Sequence, residues 1–150
     1  MLYRKASLGD AEQIYTLANL YAERGEMLSR ARYQIYENIR DFVIAEDQGE
    51  LVGMGALHIM WSDLAEIRTL AVAEKCQRKG VGTKIVDGLI LDGKELGVKR
   101  FFALTYRPEF FSACGFQEED KNNMPQKVWM ECINCTKFPN CDEICMTRLA

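Results

Sequence analysis

This 150-residue chain carries little net charge: 19 Lys and Arg stand against 22 Asp and Glu, leaving −3. That balance gives no support to a nucleic-acid partner. No apolar run is long enough to span a bilayer, so no membrane partner is expected. The opening M-L-Y-R-K-A-S-L-G-D has no signal-peptide core. The expected compartment is the cytoplasm. Without an export signal, the six cysteines do not read as a disulfide framework. There is no internal repeat, low-complexity tract or interdomain linker. Histidine occurs once, as His58, on a predicted strand, and is read as structural.

What is present is an ordinary globular composition, 48% hydrophobic and 27% charged, in a length that suits one domain with its own core. Leu2 to Lys5 makes a short first strand. Ser7 to Asp10 fits a capping box, and Ile14, Leu17, Ala18 and Tyr21 follow at helical spacing. A first helix over about Leu8–Arg24 ends at Gly25. Ile35, Tyr36 and Ile39 mark a shorter helix with Arg30 and Arg32 at its entrance. Those two cations oppose the helix dipole. They read either as a solvated turn or as a site for an anionic ligand.

Phe42–Ala45 and Leu51–Met60 form a hairpin across the turn Asp47–Glu50, and Leu64–Val72 is the next strand. A helix with Gly97 as its cap leads into the buried strand Arg100–Thr105. A strand–helix–strand unit of this length implies that the two strands run parallel. Pro108–Cys114 is a short helix with proline at its start, Gly115 ends it, and Phe116–Glu118 starts another strand. From Asp120 the chain becomes polar and irregular; Gln126–Ile133 reads as a helix, with a strand as the alternative.

The stretch with the most chemistry is Leu64–Leu96. An apolar strand runs through a polar turn into Gln77-Arg78-Lys79-Gly80-Val81-Gly82-Thr83 and then an amphipathic helix. Glycines at a helix N-terminus bring unpaired backbone amides and the positive end of a dipole to one place, which suits an anion. The pattern is neither the dinucleotide G-x-G-x-x-G nor the nucleotide G-x-x-x-x-G-K-[ST].

The element order, Leu70-Ala71-Val72, the Q-x-x-G-x-G loop and Ala113-Cys114-Gly115-Phe116 together resemble the GNAT superfamily of acyl-CoA-dependent N-acetyltransferases. The resemblance covers roughly residues 1–119, leaving 120–150 as a cysteine-containing extension on the same domain. It implies an α/β (α+β) fold, a mixed sheet of six or seven strands with helices on both faces. It implies acetyl-CoA as cosubstrate, with its pyrophosphate on Gln77–Thr83 and its pantetheine arm along Leu70, Ala71 and Val72. Backbone amides near Leu70 are the family's expected oxyanion donors. Glu66, four residues upstream, is the candidate base, its parity matching Leu70 unless a bulge intervenes; the other reading is a solvent-facing carboxylate. Many relatives carry a tyrosine acid where this chain has Phe111, so Tyr106 is the substitute.

A narrower resemblance, carried by G-E-M-L-S-R-A-R, I-R-D-F-V-I-A-E-D, D-L-A-E-I-R-T-L-A-V and K-R-F-F-A-L-T-Y, is to the acetyltransferase domain of bacterial N-acetylglutamate synthases. It implies L-glutamate as acceptor, in the first step of arginine biosynthesis. Arg30, Arg32 and Lys127 are the candidate carboxylate contacts, and Arg68 is a further cation on the strand of Glu66. The resemblance leaves open the oligomeric state, with a homodimer as the alternative to a monomer. Cys132, Cys135, Cys141 and Cys145 read as reduced thiols, with a structural zinc site as the alternative.

Overall fold

The computed structural model describes residues 1–124 and 143–150. In chain order the elements are β1 (Leu2–Lys5), α1 (Ala11–Glu23), α2 (Arg32–Glu37), β2 (Phe42–Asp47), β3 (Glu50–Ile59) and β4 (Leu64–Val72). There follow α3 (Val81–Leu96), β5 (Arg100–Thr105), α4 (Pro108–Ala113), β6 (Gln117–Glu118) and β7 (Ile144–Leu149). The strands form one sheet in the order β1-β2-β3-β4-β5-β7-β6. Every neighbouring pair is antiparallel except β4–β5, which is parallel, as the connecting helix α3 requires.

Local chemistry accounts for most element boundaries. The Ser7 backbone N–H donates to Asp10 Oδ2 at 2.7 Å, closing the capping box that starts the first helical turn. Arg4 reaches the same carboxylate with both terminal nitrogens at 2.9 Å and Glu46 at 2.8 Å, tying β1, the turn and β2 together. α1 buries Ala11, Ile14, Ala18 and Tyr21, one stripe at helical spacing. α3 begins after Gly80 at φ +80° and ends at Gly97 at φ +95°, conformations that strain a residue with a Cβ.

Two main apolar clusters lie on opposite faces of the sheet. One gathers Val81, Ile85, Leu89, Ala65, Ile67 and Phe101 under α3. The other gathers Ile14, Tyr21, Ile35, Ile44, Met54 and Ala56 under α1 and α2. The expected mixed sheet with helices on both faces is therefore present. α3 sits unusually close: a Cβ on Gly93 would lie 2.5 Å from Phe101 Cε1, and one on Gly55 would lie 3.0 Å from Ile85 Cγ2.

Sequence reading offers no strand over Ile144–Leu149. The structure adds β7, which lies between β5 and β6, so the C-terminal extension contributes a strand to the sheet itself. Its alternation explains this: Cys145 packs with Leu64, Phe102 and Met124, while Met146 joins the α3 cluster on the other face. The Cys145 thiol is pushed up to about 11 by burial and stays neutral in that apolar setting. The expected helix over 126–133, Lys127, Cys132, Cys135 and Cys141 lie outside the described residues. Among the described residues no group of three or more His, Cys, Asp or Glu side chains is arranged to hold a metal.

Candidate active site

The parallel pairing of β4 with β5 covers only Leu64–Arg100, Ala65–Phe101 and Glu66–Phe102. On its other side β4 stays paired with β3 as far as Val72. Among the described residues, therefore, no strand pairs with the β5-facing edge from Ile67 to Val72. A bulge accompanies the divergence. Arg68 opposes Ala56 and Ala71 opposes Met54, so Thr69 and Leu70 share the single partner position of Gly55. Thr69 takes φ +55° to do so. A bulge bends its strand and increases its twist, which turns β4 away from β5.

The bulge also corrects an expectation. Glu66 and Leu70 match in parity by count, but the extra residue turns Leu70 to the α3 face, where it packs against that cluster. Glu66 and Arg68 remain on the α1/α2 face, opposite His58 and Ala56 respectively. A side-chain role for Glu66 and a backbone role near Leu70 are compatible with this arrangement, since backbone amides have no face preference.

A cavity of about 890 Å³ fills the opening. Leu70, Ala71, Val72, Gln77, Arg78, Gly80, Gly82 and Thr83 line one end, and Glu66, Arg68, Arg30 and Tyr106 line it further along. The sequence-predicted residues Lys79 and Val81 do not line it. Lys79 is exposed on the loop, and Val81, the first residue of α3, is buried in the apolar cluster between that helix and the sheet. Gly82 matters for space rather than for dihedral freedom: a Cβ there would approach Phe110 Cζ to 3.1 Å. Arg78 takes φ +64° and Gly80 φ +80°, so the loop winds through two left-handed residues before the first turn of α3. Such a loop directs amides to one side, as a phosphate cradle needs.

Gln77 acts as a latch. Its Nε2 donates to the Val72 carbonyl at 3.0 Å and to the Tyr21 hydroxyl at 2.8 Å. The Tyr21 hydroxyl donates to the same carbonyl at 2.6 Å. Burial pushes the Tyr21 phenol up from its ordinary value, so it remains a donor. α1, the end of β4 and the glycine loop are thereby tied at one carbonyl. Sequence reading placed Tyr21 only on an apolar helix stripe. No local signal marks its hydroxyl, because the partner carbonyl is 51 residues away.

The charged end is equally specific. Glu66 and Arg68 approach to 3.8 Å, with side chains only 12% and 10% exposed. Each offsets part of the cost of burying the other. Arg30, half-buried, lines both this cavity and an adjoining one of about 210 Å³, and Arg68 and Thr69 do the same. Arg32 lies elsewhere. It pairs with Glu12 at 3.0 Å and stacks over Tyr15 at 4.3 Å, on the outside of α1. Tyr106 follows β5 and reaches the cavity, while the neighbouring Thr105 hydroxyl accepts the Arg107 N–H at 2.8 Å and shapes the turn. Phe111, at the position where the resemblance implies a tyrosine, is buried in edge-on contact with Phe110 and Phe116.

Comparison with known proteins agrees with this geometry. Residues 11–118 match the model of the acetyltransferase (GNAT) family. The chain is 41% identical over 145 residues to an uncharacterized N-acetyltransferase of Chlorobaculum tepidum, covering 97% of this chain and 94% of that one. It is 37% identical over 131 residues to an amino-acid acetyltransferase of Mycobacterium tuberculosis, covering 85% and 75%. Among solved structures, a Mycobacterium tuberculosis protein in complex with CoA superposes with a TM-score of 0.88 at 31% identity, covering 100% and 99%. The N-acetylglutamate synthase of Neisseria gonorrhoeae, complexed with coenzyme A and N-acetyl-glutamate, superposes with a TM-score of 0.89 at 28% identity; the match covers 99% of this chain and 34% of that one. With a family match over residues 11–118 and a strand pair that opens beside a glycine loop, this chain belongs to the GNAT family of acetyltransferases.

Proposed function

We propose that this protein transfers the acetyl group of acetyl-CoA to the amino group of a small amino acid, and that L-glutamate is that acceptor. The observation that carries the reading is the opening of β4 from β5 just beyond Glu66. It leads from a carboxylate, along a strand edge that no described strand covers, to a helix N-terminus, all within one cavity.

Acetyl-CoA is the cosubstrate, and the residues present fit it. The amides at the start of α3 and the Arg78 guanidinium receive the pyrophosphate. The β4 edge from Leu70 to Val72 offers backbone donors and acceptors to the amides of the pantetheine arm. The acetyl thioester supplies the activated acyl group. Glu66 takes a proton from the acceptor ammonium, directly or through a water molecule. Backbone N–H groups at the bulge near Leu70 stabilise the oxygen that becomes negative in the transition state. Tyr106 gives a proton to the departing thiolate.

Arg30 and Arg68 favour an acceptor with carboxylates and disfavour a polyamine. Relatives named amino-acid acetyltransferase, and a structural neighbour complexed with N-acetyl-glutamate, support the same choice. That choice makes the product the first intermediate of arginine biosynthesis. One observation favours a rival: Phe111, packed edge-on against Phe110 and Phe116, has no proton to donate, as a non-catalytic acyl-CoA sensor would allow.

A thiol-release assay with acetyl-CoA and a panel of amino acids decides between them. Release that depends on L-glutamate is expected. Release with a different amine moves the acceptor assignment, and no release with any amine, despite CoA binding, leaves the sensor.

A further inference from the structure

The only histidine of the chain stands behind the candidate base. His58 on β3 is the direct register partner of Glu66 on β4, so the two side chains leave the same face of the sheet side by side. Side chains so paired have Cβ atoms about 4.5–5.5 Å apart. His58 Nδ1 lies 3.5 Å from Asp41 Oδ2, and both side chains are about one-quarter to one-third exposed. A carboxylate offers only lone pairs, so a hydrogen bond between the two requires the proton on Nδ1, which leaves a lone pair on Nε2.

These groups border the smaller cavity of about 210 Å³, lined by Asp41, His58, Asn38, Gln34, Arg30 and Arg68 among others. It meets the main cavity at Arg30, Arg68 and Thr69. Its position answers a requirement of the proposed reaction. In that reaction each turnover leaves a proton on the Glu66 carboxylate that has to reach solvent. The small polar cavity is a second way out, and His58 stands at it.

We propose that the Asp41–His58 pair is a proton-passing and positioning device behind Glu66. Glu66 takes the proton from the acceptor ammonium and passes it, directly or through one water, to His58 Nε2. The imidazolium, stabilised by Asp41, then releases its Nε2 proton to water in the small cavity, which restores the neutral ring with its proton on Nδ1. The O–H bond on Glu66 breaks as the N–H bond on His58 forms, and no other reactant is consumed. The charged and titratable groups that face His58 are Asp41 from the turn before β2, Glu66 and Arg68 from β4, Arg30 before α2, and Tyr33 and Glu37 from α2. This inference rests on the reading of Glu66 as base.

The test measures kcat and KM against pH for His58→Gln, His58→Ala and Glu66→Gln, using acetyl-CoA and whichever amine of the panel is turned over. His58→Ala is expected to lower kcat on the order of tenfold, less than loss of the base itself. KM for both substrates stays within about twofold, the rising limb of the kcat profile moves, and added imidazole restores kcat in a saturable way. His58→Gln, which keeps the polar contact, is expected to lose kcat equally. A His58→Gln enzyme with the wild-type profile, or a His58→Ala enzyme that is slow but indifferent to imidazole, overturns the proposal, because a packing role predicts those results. Wild-type turnover by Glu66→Gln removes the base assignment instead. No turnover with any amine removes both.

Discussion

Up to Glu66, β4 is an interior strand with a neighbour on each side; beyond it, the same strand keeps β3 and loses β5. The first half buries Leu64 and Ala65 and is held by pairing on both edges. The second half contains a bulge, a threonine in the left-handed region and a run of half-buried residues that face a cavity. The first half costs little to form because its backbone groups pair twice. Among the described residues no strand covers the β5-facing edge of the second half; its Val72 carbonyl accepts from Tyr21 and Gln77, and any backbone group without such a partner is costly to bury unless water or a ligand meets it. The contrast shows how one strand can be both frame and binding edge. The change occurs at the residue proposed as the base.

Substitutions on the two sides of that boundary should separate chemistry, binding and stability. The largest effect is expected from Glu66→Gln: kcat falls by about 10²–10⁴ while CoA affinity, measured by calorimetry, hardly changes. Wild-type turnover across pH would show that the boundary carboxylate is only part of the frame. Arg30→Ala should raise the KM for glutamate by about tenfold or more, the loss of a charged hydrogen bond of roughly 1.5–3 kcal/mol, with the KM for acetyl-CoA unchanged. An unchanged glutamate KM takes Arg30 out of the site.

The frame should respond to acid rather than to substrate. The Asp10 carboxyl is lowered from 3.8 to about 2, first by its hydrogen bonds with Arg4 and then by those from Ser7, with burial opposing. Because the folded value is the lower one, the unfolded chain takes up the proton first as pH falls. The stabilisation is fully present above 3.8 and is lost as pH falls through about 2, with a size on the order of 2 kcal/mol. Asp10→Asn should therefore lower the midpoint of urea unfolding at pH 7 and shrink the difference between pH 7 and pH 2. An equal loss at both pH values would show that the carboxylate charge is irrelevant.

The smallest effect is expected at the loop. Gly80→Ala places a Cβ at φ +80°, which costs about 1–2 kcal/mol, although open space surrounds the site. The strain should appear as weaker CoA binding and a slightly lower Tm, with kcat at saturation preserved. If CoA affinity is unaffected, the loop winds the same way without glycine and its amides are not what holds the pyrophosphate.

Much of this was legible in the residues. The Ser7–Asp10 box, the Gly97 cap, the strand Leu64–Val72 and the helix after Gly80 coincide with the observed elements or nearly so. Each rests on contacts within a few positions along the chain. The roles of Arg30 and Arg32 illustrate the limit: they are two residues apart with the same charge, and one lines the cavity while the other is drawn to Glu12 and Tyr15 on α1. Nothing local distinguishes them. β7 was missed because I-C-M-T-R-L is short, and its burial comes from Leu64, Phe102 and the α3 cluster, all distant in sequence.

By itself, then, the sequence determined a strand, a glycine loop and a helix, because dihedral preference, capping and side-chain period act over a few residues. The tertiary structure alone decided where β4 leaves β5, that Thr69 and Leu70 share one partner, and that Tyr21 holds the Val72 carbonyl. It also decided that His58 stands beside Glu66 with Asp41 behind it. These depend on which strands become neighbours and in what register, and a two-residue side-chain period reads the same in any register that differs by two.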